Sequence, residues 1–255
     1  MSRYLDIEQH GDVALVRIDR PPANAIDLEL LRESEGFLDD LAAAEPSAVV
    51  LTGQERFFSA GLDLKAAPRL DAEGQREMVS RVNRMFAGWY AFPRPVVCAV
   101  NGHAVAGGLI LALCGDYRVG STEGKLGLTE LRAGIPYPAA ASAIVKAELA
   151  PPAARLLVLH AELVEPPTAL EYGVFDELAA PDDVVERALV VAGELGELPA
   201  IAYGRIKHQL RAQTIEYTTA VASGVDPMNE SWLSEETGGA AAAILSGGSR
   251  AGAES

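Results

Sequence analysis

The stretch from Pro95 to Asp116, PVVCAVNGHAVAGGLILALCGD, constrains the fold more than any other part of this 255-residue chain. Residues 96–100 form an apolar run between a proline and an Asn-Gly pair, which predicts a short buried strand. Residues 109–114 are apolar on every face, as expected of a fully buried helix. A strand that enters a helix through a glycine-rich turn directs unpaired N–H groups at whatever lies above the helix N-terminus. An isolated Gly-Gly would be explained by a tight turn alone, so a second signal is needed.

Residues 56–65, RFFSAGLDLK, supply that signal directly after the strand-like residues 48–53. With the sequence NGHAVAGG of residues 101–108, about 45 residues further on, this segment resembles the signatures of the crotonase (enoyl-CoA hydratase/isomerase) superfamily. The resemblance covers about residues 10 to 210 and includes both motifs, their order and their spacing. It implies an α/β fold, the ClpP-like spiral of repeated ββα units, followed by a C-terminal helical region that makes the trimer.

Hydrophobic periodicity places the remaining elements of the spiral. Asp27 is a suitable N-cap for a helix through about Ala44, and apolar residues at helical spacing predict a second helix over 70–91 that packs in the core or between subunits. Residues 139–160 are alanine-rich and are predicted to be helical. Further strands are predicted at 13–18, 48–52 and 117–120. Residues 166–176 resemble a family segment, and the resemblance implies a short helix and a strand there.

Three regions are expected along the chain. Residues 1–195 are predicted to form the spiral core, and a change of composition near Gly196 begins a C-terminal helical region over 196–237. The tail 238–255 is small and polar, and we expect it to be partly disordered.

The net charge argues against two classes of partner, and the two cysteines lie in apolar surroundings. A net charge of −15 and a pI of about 4.7 argue against binding to nucleic acid or to an anionic membrane. An anionic ligand such as coenzyme A would therefore need a local basic patch. Cys98 and Cys114 lie in apolar runs and are expected to be core residues. Because no apolar segment has the length of a signal peptide or a membrane span, a cytoplasmic protein is expected.

The resemblance assigns the shared catalytic device to two backbone N–H groups. In the family such a pair binds the thioester oxygen as it becomes an enolate, and the matching positions here are Leu62 and Gly107. Preorganised donors of this kind contribute about 2.7–4 kcal/mol each, judged by the loss when one is removed. The helix N-terminus behind Gly107 adds a partial positive charge.

An enolate also needs a base, and the resemblance points to Glu130 in the segment GLTELRAGIP of residues 127–136. Family hydratases have a second glutamate three residues beyond the second N–H donor. That position is Ile110 here, so the carboxylate is absent. One glutamate favours moving the double bond of a 3-enoyl-CoA to position 2, because a single base can take the proton from C2 and return it to C4.

Two alternatives stay open from the sequence. The chain could be an enoyl-CoA hydratase or another crotonase-type lyase that uses Glu130 with a second acid–base group, or an acyl-CoA-binding member without activity. Locally the sequence is similar to the mitochondrial type of 3,2-enoyl-CoA isomerase, and such enzymes act in fatty-acid β-oxidation. A desolvated Glu130 should have a raised pKa.

The coenzyme A thioester is expected as substrate, with no other cofactor, no metal and no nucleic-acid or membrane partner. By resemblance, Asp63 fixes a turn, Lys207 reaches a neighbouring subunit's ligand, and the assembly is a homotrimer or a dimer of trimers. His103 is expected to be structural. The residues expected to contact the substrate are Arg56, Ser59, Ala60, Gly61, Asp63, Lys65, Gly108 and Ile110.

Overall fold

The structure is a computed structural model that describes residues 3–63, 66, 70–224 and 226–227. The predictions for Lys65 and for the tail 238–255 lie outside these residues. Nine strands are described: β1 Leu5–His10, β2 Val13–Ile18, β3 Ala48–Thr52, β4 Phe57–Ser59, β5 Val96–Val100, β6 His103–Val105, β7 Tyr117–Ser121, β8 Leu126–Gly127 and β9 Glu177–Ala179. The α-helices are α1 Leu28–Ala43, α2 Ala72–Tyr90, α3 Gly107–Leu113, α4 Ala139–Glu148, α5 Pro151–Ala154, α6 Pro166–Glu171, α7 Val184–Gly196 and α8 Ala200–Ser223. A π-helical segment, Arg155–Leu159, continues α5.

Two sheets run side by side along the spiral. Six strands form the larger sheet in the order β1-β2-β3-β5-β7-β9, and the smaller sheet has the order β4-β6-β8. All neighbouring strands are parallel except β1 and β2. The chain places one strand in the large sheet, the next in the small sheet, and then forms a helix, as in β3-β4-α2 and β5-β6-α3. The predicted repetition of ββα units is confirmed.

The turn predicted over residues 101–108 is partly wrong, because His103–Val105 is strand β6 of the small sheet. Its backbone is close to the adjacent strand β4. A Cβ atom on Gly102 would lie 2.1 Å from the Arg56 carbonyl oxygen. Only glycine permits that approach. The small sheet therefore brings the two glycine-containing motifs together.

The predicted helices are present, with one interruption. Asp27 is the N-cap of α1 and accepts a hydrogen bond from Leu30 N–H at 2.9 Å, and the apolar stripe of α2 is buried in the core. The helical structure predicted over 139–160 is present but is not continuous. It breaks at Ala150, whose ψ of 145° is extended, because the residue before a proline disfavours the helical conformation.

The last two helices pack in different places. Helix α7 lies on the face of the large sheet, where Val191 and its neighbours form an apolar cluster with strands β2, β3, β5 and β7. Helix α8 packs against α2 and α4. The predicted boundary at 195/196 falls close to the link between the two helices, and the division into regions stays a prediction. None of the described helices is both long and apolar enough to cross a membrane.

Candidate active site

The two glycine-containing turns are in direct contact. Gly61 has a φ of +78°, which favours glycine, and a Cβ atom at this position would lie 2.9 Å from Gly107 N. On the other side of the contact, a Cβ atom on Gly107 would lie 3.7 Å from the Gly61 Cα atom. The sequence therefore needs glycine at residue 61 so that the first turn can lie against the start of α3.

Hydrogen bonds and close packing hold both turns in place. The Ser59 hydroxyl donates to the Asn24 carbonyl at 2.7 Å and accepts from Gly61 N–H at 3.2 Å. A Cβ atom on Gly108 would lie 2.1 Å from the Ser59 carbonyl oxygen, so α3 begins directly against β4. Gly108 and the fully buried Ser59 contact each other and are not among the residues that line the cavity described below. Their place is under the site.

The described part of the chain provides no hydrogen-bond acceptor for the N–H groups of Leu62 and Gly107. The bridge between Ile26 and Leu62 uses the Gly61 carbonyl and the Asp63 N–H, which leaves the Leu62 N–H on the opposite side of the strand. Gly107 is the first residue of α3, where an N–H has no acceptor within the helix. Both residues line one cavity, as the resemblance implies for a pair of oxyanion donors.

This cavity has a volume of about 90 Å³ and a mainly apolar wall. Thr129 and Glu130 are the polar residues of the described wall, and Glu130 alone carries a carboxyl group. The other lining residues are Ala60, Leu62, Val82, Phe86, Ala106, Gly107, Ile110, Ala133, Ile135 and Pro138. A group with developing charge would meet few competing dipoles in this cavity, so the aligned N–H donors would act on it strongly.

Glu130 begins a 3₁₀ turn, Glu130–Ala133, directly after β8 and is only 7% exposed. Burial raises the pKa of its carboxyl from an ordinary 4.5 to about 7, opposed by hydrogen bonds from its own N–H and from Tyr137. Oε2 is buried and has no hydrogen-bond partner in the described part of the chain. A carboxyl with these properties exchanges a proton readily near neutral pH.

Ile110 lies in the cavity wall, at the position where the resemblance implies the second glutamate of family hydratases. Its side chain is 1% exposed and lines the same cavity as Glu130. Because α3 is buried on every face, an apolar residue here is what the packing of the helix favours. The cavity thus combines two N–H donors with one carboxyl.

Tyr137 is a site residue that the sequence reasoning missed. Its single O–H lies between two acceptors, the Glu130 carboxyl and the Leu128 carbonyl oxygen at 3.3 Å, and can donate to one of them at a time. Burial and the charge of Glu130 raise the pKa of the Tyr137 phenol. A single aromatic residue between two prolines has no periodic pattern, and no signal in the sequence links it to a glutamate seven positions earlier.

The structure describes some of the residues expected to bind coenzyme A and not others. Arg56 is exposed, and Ala60 and Gly61 belong to the turn beside the cavity, whereas Lys65 lies outside the described residues. Asp63 accepts a hydrogen bond from Ala66 N–H at 3.1 Å, in keeping with a residue that fixes the turn.

The expectation that Lys207 reaches a neighbouring subunit's ligand is wrong. Lys207 is 7% exposed, and its ammonium group binds the Asp116 carboxylate at 2.7 Å. His103 accepts a hydrogen bond from Lys125 N–H at 3.2 Å, and its ring lies 4.8 Å from that of Phe57. Both residues contact neighbouring parts of the same chain.

A spiral of ββα units in which Leu62, Gly107 and a buried glutamate line one cavity is the arrangement that the resemblance implies for a crotonase-type acyl-CoA enzyme. A sequence model of the family described as enoyl-CoA hydratase/isomerase matches residues 8–238. The chain therefore belongs to this family, within the crotonase superfamily.

Similar proteins carry both activities in their names. A probable enoyl-CoA hydratase, EchA17 of Mycobacterium tuberculosis, is 31% identical over 204 residues, which are 79% of this chain and 78% of the relative. A solved structure of an enoyl-CoA isomerase from the same organism has a TM-score of 0.81 at 29% identity, covering 88% of this chain and 98% of that one. The human mitochondrial Δ3-Δ2-enoyl-CoA isomerase has a TM-score of 0.90 at 24% identity, covering 96% and 97%, and this likeness shows the fold alone.

Proposed function

We propose that the protein moves the double bond of a 3-enoyl-CoA to position 2, with Glu130 as the single acid–base group. One observation carries the proposal. Of the described residues lining the cavity that holds both N–H donors, only Glu130 has a carboxyl, and Ile110 takes the place of the second one.

The geometry supports the following sequence of steps. The thioester oxygen accepts hydrogen bonds from the N–H groups of Leu62 and Gly107, and the ionised Glu130 removes a proton from C2. The electron pair of the broken C–H bond enters the conjugated system, and the donors stabilise the resulting dienolate. Glu130 then returns the proton to C4, which leaves the double bond between C2 and C3. Because no atom is gained or lost, one carboxyl is sufficient.

Hydration of a 2-enoyl-CoA is the second candidate, and the name of the M. tuberculosis relative favours it. Addition of water requires a group that holds the water while a proton is delivered to C2. Beside Glu130, the polar group that the described cavity wall offers is the Thr129 hydroxyl, which is a poor base. An apolar wall that excludes water favours the isomerase over the hydratase.

The test compares both reactions in three proteins: the native chain, Glu130→Gln, and Glu171→Gln, in which an exposed glutamate is changed. Isomerisation is followed with trans-3-hexenoyl-CoA and hydration with crotonyl-CoA. We expect isomerisation to dominate in the native protein and to fall by roughly 100- to 10,000-fold in Glu130→Gln, the usual contribution of a general base. Glu171→Gln should keep the native rates.

Two results would overturn the proposal. Hydration faster than isomerisation in the native protein would identify a hydratase with a second acid–base group. Acyl-CoA binding without turnover of either substrate would identify a binding protein.

We also propose that exposed apolar residues of α8 form contacts between subunits in a homotrimer or a dimer of trimers. Ile201, Ile206 and Leu210 are 73%, 62% and 84% exposed, which is unusual for large apolar side chains on one helix. Sedimentation equilibrium of the native chain should give a threefold or sixfold mass, and a monomer would contradict this proposal.

Arg56 is proposed to contact the phosphates of coenzyme A, because it is exposed in the motif beside the cavity. Arg56→Gln should then raise KM and leave kcat unchanged. An unchanged KM would remove Arg56 from the binding site.

A further inference from the structure

The C-terminal end of α3 is held by a charged side chain from α8. Arg211 donates from Nη1 to the Cys114 carbonyl at 3.2 Å and from Nη2 to the Gly115 carbonyl at 2.9 Å. The last carbonyls of a helix lack N–H donors within it, and a cation beside them also complements the helix dipole. Arg211 therefore fixes the end of α3 that lies opposite Gly107.

The Arg211 guanidinium is itself fixed. Its side chain is 9% exposed and lies between the Asp116 carboxylate at 3.1 Å and the Glu148 carboxylate at 3.4 Å. It also lies 4.2 Å from the centre of the Tyr90 ring and donates to the Tyr90 carbonyl at 3.3 Å. Contacts from α2, from the end of α4 and from the residues after α3 thus converge on one side chain.

Lys207, one helical turn earlier in α8, completes the cluster. Its ammonium group binds Asp116 at 2.7 Å and donates to the Arg94 carbonyl at 3.3 Å. The same Asp116 oxygen accepts from Val96 N–H at 2.9 Å, at the first residue of β5. Asp116 is therefore held from two directions, by α8 and by the central strand.

Helix α3 can transmit a displacement at its C-terminal end to the other end. Its seven residues, Gly107–Leu113, are all buried and span about 10 Å. Close-packed elements of this kind shift as units rather than deform. At the N-terminal end, Gly108 packs directly against β4, as described above, and Gly107 is the first residue of the same helix. A displacement of the helix would therefore move the Gly107 N–H as well.

We propose that Arg211, held by Asp116, which Lys207 fixes in turn, is a positioning residue that sets the place of the Gly107 N–H donor. This inference rests on the proposed role of Gly107 in binding the thioester oxygen. It does not depend on whether the reaction that follows is isomerisation or hydration.

The test uses Arg211→Met, Arg211→Lys and, as a control, Val191→Ala, which loosens the apolar cluster under α7 without touching α3. The positioning role predicts that kcat falls about 10- to 100-fold in Arg211→Met, the effect of a small displacement at a reacting centre. The dissociation constant for butyryl-CoA should change much less. The kcat of Arg211→Lys should lie between those of the native protein and Arg211→Met.

A second measurement reports on the donors without any turnover. The infrared C=O stretch of a ¹³C-labelled butyryl-CoA thioester should move to lower frequency when it binds the native protein, because two N–H groups polarise the bond. Arg211→Met should bind the ligand and lose part of that shift, while Val191→Ala should keep it.

Three results would overturn the proposal. These are a native kcat in folded Arg211→Met, an equal loss of kcat in Val191→Ala at matched stability, or an unchanged carbonyl shift in Arg211→Met. If Arg211→Met does not fold, Arg211→Lys decides on the same criteria. A carbonyl shift in the native protein without isomerisation would refute the proposed reaction alone and leave the role of Arg211 in place.

Discussion

The pKa of Glu130 predicts how the stability of the protein changes with pH. Burial raises this pKa from 4.5 to about 7 in the folded state. Because the folded state holds the proton more tightly than the unfolded state, stability is fully present below pH 4.5 and decreases as the pH rises to about 7. At about 1.4 kcal/mol per pH unit, the full decrease is about 3 kcal/mol.

Glu130→Gln removes the ionisable carboxyl and keeps the shape of the side chain. The unfolding free energy of this variant therefore lacks the pH dependence that Glu130 causes. The gap in unfolding free energy between Glu130→Gln and the native protein should therefore move in favour of the variant by about 2–3 kcal/mol between pH 5 and pH 8. Urea unfolding at pH 5, 6, 7 and 8, at one protein concentration, measures this gap.

Glu171→Gln is the matched control, because Glu171 is exposed and should give a gap that is almost constant with pH. A constant gap for Glu130→Gln, or one that moves in favour of the native protein at high pH, would refute the reasoning. In either case the carboxyl would be as well solvated in the folded state as in the unfolded chain.

Three further predictions concern the cavity and the start of α3. Ile110→Glu should raise hydration relative to isomerisation by roughly tenfold or more, since it adds the missing carboxyl; Ile110→Gln is the control, and an equal ratio in both would contradict the prediction. Tyr137→Phe removes a hydrogen bond that lowers the pKa of Glu130, so the acid limb of the kcat/KM profile should move to higher pH, and an unmoved limb would count against the contact. Gly108→Ala should destabilise the protein by about 1–3 kcal/mol, because its Cβ atom would lie 2.1 Å from a carbonyl oxygen. Gly107→Ala is the control, since its Cβ atom would have 3.7 Å of clearance, and it should unfold near the native urea midpoint. Equal urea midpoints for the two variants would contradict the prediction and show that α3 shifts freely.

The parts of the fold that the sequence predicted are those with strong local patterns. The apolar run of β5, the buried helix α3 and the cap at Asp27 each depend on neighbouring residues. The short strands of the small sheet have two or three residues each, too few for a period to be visible. Strand β1 was missed because it lies at the edge of the large sheet and only Leu5 of its six residues is buried.

In the candidate site, too, the features with a local sequence pattern were predicted and those that depend on distant residues were not. Glu130 and the two turns could be located because their motifs are contiguous in the sequence. The burial that changes the pKa of Glu130 comes from residues of several distant elements, and Tyr137 has no pattern of its own. Lys207 was expected at a neighbouring subunit's ligand, and no local pattern links it to its partner Asp116, which is 91 positions away.

The central claim is that one carboxyl transfers a proton from C2 to C4 in a cavity that excludes water. The most direct test is the fate of the label when trans-3-hexenoyl-CoA with two deuterium atoms at C2 is converted in ordinary water in a single turnover. Transfer by Glu130 predicts product molecules that carry deuterium at C4, detected by mass spectrometry and NMR. A product whose C4 position holds only solvent protons would contradict the claim, because the proton would then have come from water or from a second acid.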